Sequence, residues 1–586
     1  MRIPRILTAA AAAVLLAPLT GVLPAHADAI TLTVDYGADA GPSNQVASGF
    51  LHGIEPASPA QYLIDGVKVV AIRGADHHPN LPSLFDRATY NRAAATGAKL
   101  RVGLYYASSN PSSPDNGYWP GDGGNWDRWR TIVNRVYDEA RTNGYQVDSW
   151  ITWNEPEAQW SSTARPFTTY LTAHDVAYDT LKARDPGVKI EGPELSSYNF
   201  SRLTQFLTFC KQNNCLPDVL SWHELTAAAP DVPGHTAQIR QWMIDNGITP
   251  MPITITEYQG SGYGNSDAWD PGVNVRFLAQ FERSVPNGLV DALDSDWDYI
   301  GSDANFRSTL GNTADKATGT LPKGLWWNYN TYKDMTGRLV RTTSSAPTTV
   351  DALTAVDSAQ RRSVGLIGNQ NTGTHTVTLN LRNIPSVLQR NGKVHLSVTR
   401  FDDLGVLTNP AKVLEQDYTV SGNSTTVTLP ALPASASLRF DVSPVIGGSA
   451  ATVYEAESLP VTSTAGVVRR NYSESGASGG QASALESTAV GQSVTYTINV
   501  PTTGVYALSA NLKREANRGF FQLYVDGRVF GPPQDEYGAA AYYRTTLGHL
   551  QLTAGQHNLE FRVVGKNASS SNRWMVFDRF EIAPLP

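Results

Sequence analysis

The hydrophobic pattern of the chain changes period along its length. Between residues 28 and 340, short aromatic and β-branched runs alternate with stretches whose apolar residues recur at helical spacing. The runs predict eight strands, ending near Gly53, Arg73, Tyr106, Glu155, Glu194, Glu224, Glu257 and Trp297. Trp126, Trp129, Val133, Val136 and Ala140 predict a helix that Asn125 caps and Asn143-Gly144 ends. Phe167, Tyr170, Leu171, His174, Tyr178 and Leu181 form a second stripe, opened by Pro166 and closed by Asp185-Pro186-Gly187. His174 lies on that apolar stripe and reads as a packing residue rather than a ligand. Eight strand–helix units in about 310 residues predict a (β/α)8 TIM barrel.

From 341 to 443 the period becomes two. Val377-Leu379-Leu381, Val394-Leu396-Val398 and Thr425-Val427-Leu429 alternate with polar residues and are separated by turn clusters such as Asn369 to Gly373. This predicts an antiparallel β-sandwich, with no constellation of titratable groups in it. Residues 444–451, Pro-Val-Ile-Gly-Gly-Ser-Ala-Ala, read as a flexible linker. A second β-rich unit runs from 452 to 586.

Length alone predicts several domains. At 41% hydrophobic and 17% charged, the composition is that of folded domains rather than of a disordered or fibrous chain. A net charge of −7 with no basic cluster argues against a nucleic-acid partner. Residues 1–27 combine Arg2 and Arg5, an apolar run broken by Pro18 and Gly21, and Ala25-His26-Ala27, which is the form of a secretory signal cut after Ala27. The expected product is secreted, monomeric and free of the membrane. The two cysteines, Cys210 and Cys215, lack the nearby histidines of a zinc site, and in an oxidising compartment they are expected to close a small disulfide loop at a helix end.

The chemistry gathers at two strand ends. Ser149-Trp150-Ile151-Thr152-Trp153 runs into Asn154-Glu155-Pro156, and Pro252-Ile253-Thr254-Ile255-Thr256 runs into Glu257-Tyr258. A parallel barrel places its active site at the C-terminal ends of its strands. Two carboxylates there are what glycoside cleavage requires, one to protonate the departing oxygen and one to attack the anomeric carbon or activate water. Either strand end alone is an ordinary loop entry; the pair points to catalysis. His77 and His78 beside Asp76 fit a subsite or a surface better than a metal, because neighbours on an extended segment point opposite ways.

Trp153-Asn154-Glu155-Pro156 followed by Thr256-Glu257 resembles the large clan of retaining (β/α)8 glycoside hydrolases. Leu220-Ser221-Trp222-His223 before Ile255-Thr256-Glu257-Tyr258 is similar to glycoside hydrolase family 39, which includes β-xylosidases, α-L-iduronidases and arabinofuranosidases. The resemblance implies Glu155 as acid/base, Glu257 as nucleophile, and Asn154 as donor to the sugar 2-OH. Arg73 would hold the nucleophile ionised, or else form a rim ion pair. His223 and Tyr258 would orient Glu257 and the sugar, and Trp297 would be a sugar platform or barrel packing. Glu224-Leu225 departs from the family's His-x-aromatic pattern, so subsite contacts do not transfer. No cofactor is implied for catalysis; the partner is a polysaccharide or oligosaccharide of xyloside or arabinofuranoside type.

The last unit resembles family 6 and 35 carbohydrate-binding modules, through Tyr454-Glu455-Ala456-Glu457, Gly555-Gln556-His557, Gly565-Lys566-Asn567 and Phe577-Asp578. That implies a β-jelly-roll, with Glu455, Glu457 and Asp578 as ligands of a structural calcium, or a plain sandwich with charged strand ends.

Overall fold

The computed structural model describes residues 30–77, 83–105, 117–225, 231–259, 270–295, 321–370, 372–402, 406–446 and 451–585. Eight parallel strands close a barrel in sequence order: Gly49–Leu51, Ala71–Ala75, Lys99–Gly103, Ser149–Ile151, Ile190–Leu195, Val219–Leu225, Ile253–Gln259 and Leu289–Asp294. Closure is direct, with Gly49 and Phe50 of the first strand opposite Leu293 and Asp294 of the last. The strands are buried along nearly their whole length, as expected of parallel strands covered by helices on one face and by the barrel interior on the other. The helices Asp127–Asn143 and Phe167–Arg184 form over the two predicted stripes, and Gly144 ends the first in the left-handed conformation.

The barrel interior is charged as well as apolar. Arg101, 1% exposed, binds Glu191 and reaches Asp291 Oδ2 at 2.6 Å, while Ser149 Oγ donates to Glu191 at 2.6 Å. This network lies near the strands' N-terminal ends, beneath the layer that carries the site. His174 packs as expected: it is buried between Thr152 Oγ1 (3.0 Å) and the Cys215 carbonyl (3.1 Å), and burial lowers its pKa to about 4.

The barrel boundary at residue 28 is corrected by the structure. Ile30–Pro42 is a strand of the second domain, paired antiparallel with Arg338–Ser344 and parallel with Val377–Arg382. Its alternation explains the placement: Ile30, Leu32, Val34 and Tyr36 face one core while Thr31, Thr33 and Asp35 do not. That is a strand with one buried face, unlike the two-faced burial of the barrel strands. The second domain is one nine-stranded curled sheet enclosing its own core, antiparallel except for that one pair.

Helix Pro271–Ser284 joins barrel to sheet at a close approach. A Cβ added at Gly272 or at Gly368 would collide with the backbone oxygen of Asn369 or of Gly272 itself, so only glycines fit.

The third domain consists of two antiparallel sheets of six and five strands around a separate core. It is not a loosely tethered module. Phe520 and Val564 join the apolar cluster of the barrel, with the Phe520 ring 5.9 Å from Tyr62 and nearly perpendicular to it. Thr408 Oγ1 donates to Asp535 Oδ2 at 2.6 Å across the boundary with the curled sheet. The expected linker is correspondingly shorter: Pro444 ends a strand and Thr452 begins the next. Its residues 447–450 lie outside the described residues. A cleft of about 940 Å³ separates curled sheet and third domain, floored by Trp327 and walled by residues such as Arg439 and His549. Arg439 is already paired with Asp441 and Asp334, all at 2.8 Å, so this cleft is a polar domain boundary away from the glutamates. No helix among the described residues is long and apolar enough to cross a membrane.

Candidate active site

The fourth strand ends at Ile151, and Glu155 follows four residues later, at the start of the short helix Pro156–Gln159. Thr152 is tied to His174, and Trp153 is wedged among Trp119, Trp129 and Trp160, its indole N–H donating to Gln159 Oε1 at 3.2 Å. On this base the chain turns sharply. Glu155 adopts φ 47° and ψ 52°, left-handed for a residue that precedes proline and would otherwise prefer extended backbone. Such a conformation costs on the order of 1–3 kcal/mol and persists where surroundings hold it. Here the Glu155 N–H donates to the Glu194 carbonyl at 2.9 Å, and the Glu155 carbonyl accepts from Ala158 and Gln159, both at 3.1 Å.

Glu257 comes from the seventh strand, which continues to Gln259. Alternation turns Glu257 inward, leaving it 13% exposed, against 29% for Glu155. His223, fully buried on the sixth strand, stands between them: its Nδ1 is 3.3 Å from Glu155 Oε1 and 3.8 Å from Glu257 Oε2. One ligand atom from each of Glu155, His223 and Glu257 lies within 4.8 Å of the others. The two strand-end glutamates therefore meet.

Arg73, 1% exposed, completes the site. One terminal nitrogen binds Glu257; the other donates to Asn154 Oδ1 at 2.7 Å, Tyr105 Oη at 2.9 Å and Glu194 Oε2 at 3.2 Å. Its Nε lies 3.0 Å from Glu194 Oε1. Burial works against the charge on Glu257, but His223 and Arg73 outweigh it and hold the carboxyl below its usual range. For His223, burial opposes the imidazolium, but Glu257 and the contact to Glu155 prevail and its pKa is raised.

Of the predicted site residues, the structure brings together Glu155, Glu257, Asn154, Arg73 and His223. Tyr258 is a correction. One position after Glu257, it faces the opposite side of the strand, among Phe277 and Phe281 of the helix layer, and its hydroxyl meets the Ala47 carbonyl and Tyr329 Oη at 2.7 Å. It therefore cannot touch a sugar at Glu257. Trp297 and His78 lie outside the described residues. His77 contacts Glu139 at 2.5 Å on the surface, consistent with the surface reading. Cys210 and Cys215 are buried free thiols in this structure, with sulfurs within 4.8 Å of each other and of a His174 nitrogen.

Sequence reasoning passed over Glu194. It is a third strand-end carboxylate, wholly buried, and its signal was the same as that of the other two, a carboxylate closing a barrel strand. Sequence reasoning also left Glu224 unassigned. It is buried and accepts from Trp222 Nε1 at 2.8 Å, with His235 Nδ1 at 2.9 Å, which braces the end of the sixth strand.

In the third domain, Glu455 and Asp578 share Ser478: its hydroxyl reaches Glu455 Oε2 at 2.6 Å and Asp578 Oδ1 at 2.9 Å. Glu457 has one buried carboxylate oxygen without a partner, and its pKa is raised by burial and by Glu455 and Asp578. Asn511 also donates to Asp578 Oδ2 at 2.6 Å, and the three carboxylates do not bring one oxygen each within 4.8 Å of the others, so they do not form a closed cation site as they stand.

No protein-family profile matches the chain. Among curated proteins it is 25% identical over 621 residues to a 3-O-alpha-D-galactosyl-alpha-L-arabinofuranosidase of Bifidobacterium longum subsp. longum, covering 90% of this chain and 52% of that protein. It is 24% identical over 625 residues to a 3-O-beta-L-arabinopyranosyl-alpha-L-arabinofuranosidase of Bifidobacterium pseudocatenulatum, covering 90% and 61%. The chain thus spans half to three fifths of the length of these relatives. Among solved structures it is similar to a protein from Neocallimastix frontalis (TM-score 0.59, 24% identity, covering 71% of this chain and all of that one). It is also similar in fold to a glycoside hydrolase family 39 enzyme from Xanthomonas axonopodis pv. citri (TM-score 0.52, 14% identity, covering 72% of this chain and all of that one).

Proposed function

We propose that the protein is a secreted retaining glycoside hydrolase that removes α-L-arabinofuranosyl units, plain or substituted, from the side chains of a polysaccharide. The curated relatives are glycoside hydrolases, and the chain carries a (β/α)8 barrel with additional β domains. The observation that carries the reading is that one oxygen of Glu155 and one of Glu257 lie within 4.8 Å of each other, with a His223 nitrogen within the same distance of both. Retaining enzymes hold their carboxyl groups about 5–5.5 Å apart, whereas inverting ones keep roughly 6.5–9.5 Å for a water.

In the first step a Glu257 oxygen attacks the anomeric carbon while protonated Glu155 gives its proton to the glycosidic oxygen. The carbon–oxygen bond to the aglycone breaks, and the aglycone leaves as an alcohol. In the second step Glu155, now a carboxylate, takes a proton from water as the water oxygen attacks the same carbon and releases Glu257. Arg73 and His223 favour the ionised form of Glu257 that the first step needs. Arg73 occupies Asn154 Oδ1, so the Asn154 amide N–H groups are the ones that donate to the sugar 2-OH. The relatives' names supply the arabinofuranosyl preference; a xyloside is the neighbouring choice.

Residues 1–27 serve as the export signal, the enzyme acts as a monomer, and Cys210 and Cys215 join once the chain is in an oxidising compartment. The third domain binds glycan; calcium at Glu455, Glu457 and Asp578 would have to draw the three carboxylates closer than they stand, and a chelator that leaves the domain's melting unchanged would refute it. The decisive test of the activity is a panel of aryl glycosides with the first-formed anomer followed by NMR. Release of arabinofuranose with retained configuration is expected, and an inverted first product would refute the double displacement.

A further inference from the structure

We propose that Glu194 is a positioning residue that fixes Arg73 and, through it, governs the reactivity of Glu257. The proposal rests on the reading of Glu257 as the nucleophile. Arginine offers five N–H donors in a rigid planar fork, so whatever grips one edge of the fork aims the other. Glu194 holds such an edge by one hydrogen bond and one ion-pair contact: Oε2 accepts from a terminal nitrogen at 3.2 Å, and Oε1 lies 3.0 Å from Nε without hydrogen-bond alignment. The remaining N–H groups then point at Glu257, Asn154 and Tyr105.

The same residue holds the other glutamate through its main chain. Glu194 is itself left-handed, with φ 59°, and its carbonyl accepts the N–H of Glu155. Two residues on, the Ser196 N–H and hydroxyl both donate to Glu157 Oε1 at 2.6 Å, bracing the far side of the acid/base turn. The end of the fifth strand therefore touches the support of each catalytic carboxylate.

The ionisable groups around the Glu194 carboxyl are Arg73 from the second strand, Glu191 from its own, His223 from the sixth, Glu257 from the seventh and Tyr170 from helix Phe167–Arg184. Burial dominates and pushes Glu194 up to about 8, against the pull of Arg73 and His223.

The test uses the full-length enzyme and a dinitrophenyl glycoside. That leaving group departs without a proton, so kcat/KM does not depend on general-acid catalysis. Glu194→Ala removes the grip. Its kcat/KM should fall at least tenfold, and its acid limb, which reports ionisation of Glu257, should move up by about one pH unit. Glu194→Gln keeps one acceptor and turns an amide N–H2 toward Arg73, so its kcat/KM should also fall and its acid limb also move up, by less than in Glu194→Ala. A Glu194→Ala enzyme with the wild-type limb and kcat/KM within about threefold would overturn the proposal. If Glu194→Ala does not fold, Glu194→Gln decides: an unshifted acid limb with wild-type kcat/KM overturns it equally. Glu257→Gln is the control. An active Glu257→Gln enzyme overturns the underlying reading, whereas an inactive one beside unshifted Glu194 variants overturns this proposal alone.

Discussion

Phe520→Ala tests whether the third domain is part of one folded body. Phe520 is fully buried, yet it packs with the barrel's cluster rather than with its own domain's core, edge to face with Tyr62. Truncating a buried phenylalanine to alanine costs about 3–5 kcal/mol, from lost transfer energy and the cavity left behind. The melting shift depends on what unfolds together. At about 2.1 cal/mol/K per residue, the unfolding entropy of the 586-residue chain is roughly 1.2 kcal/mol/K. For the third domain alone it is roughly 0.3 kcal/mol/K. A loss of about 4 kcal/mol therefore lowers Tm by roughly 3–4 °C if the domains melt as a unit, and by more than about 10 °C if the third melts alone. Differential scanning calorimetry of wild type and variant reads this directly. One broad transition moving a few degrees is expected; a separate small transition that moves by ten or more, with the main one unmoved, would refute the docking argument.

Two further outcomes follow from the site and the barrel interior. Glu155→Ala should retain turnover of dinitrophenyl glycosides far better than of alkyl glycosides, and azide should restore its rate and give a glycosyl azide of retained configuration; equal losses on both substrates would remove Glu155 as the acid. Arg101→Ala leaves Glu191 buried without its cation and Asp291 with Lys99 alone, at 3.1 Å, and should cost about 3–5 kcal/mol in chemical denaturation. Because Arg101, with Lys99, overcomes burial and holds Asp291 below its usual range, the Asp291 contribution is present above its unfolded pKa and is lost as pH falls through the folded value. The variant keeps only the Lys99 share of that acid dependence, and a loss under about 1 kcal/mol would contradict the network's role.

The barrel was legible in the sequence because parallel strands buried on both faces and amphipathic helices leave different local periods. What depended on pairing across the chain was not. Ile30–Pro42 looks like any strand, and its partners lie some three hundred residues downstream, near Ser344 and Val377. The Gly-Gly-Ser stretch has a linker's composition, but composition says nothing of Phe520 and Val564 meeting the barrel. Within the site, the two glutamates announced themselves because their strand ends carry turn chemistry. Tyr258 follows from the same pattern, since the two-residue period that turns Glu257 inward turns its neighbour outward. Glu194 shared the strand-end signal, but its grip on Arg73 spans 121 positions and shows only in three dimensions.

The central claim is that Glu257 becomes covalently bonded to the sugar. Incubation with a 2-deoxy-2-fluoro arabinofuranosyl donor carrying a good leaving group, followed by peptide mass spectrometry, tests it most directly, because the fluorine slows the second step and lets the glycosyl-enzyme accumulate. The account predicts one equivalent of label on Glu257 and none on the Glu257→Gln variant; label on Glu155 instead, or continued turnover of the donor by Glu257→Gln, would contradict it.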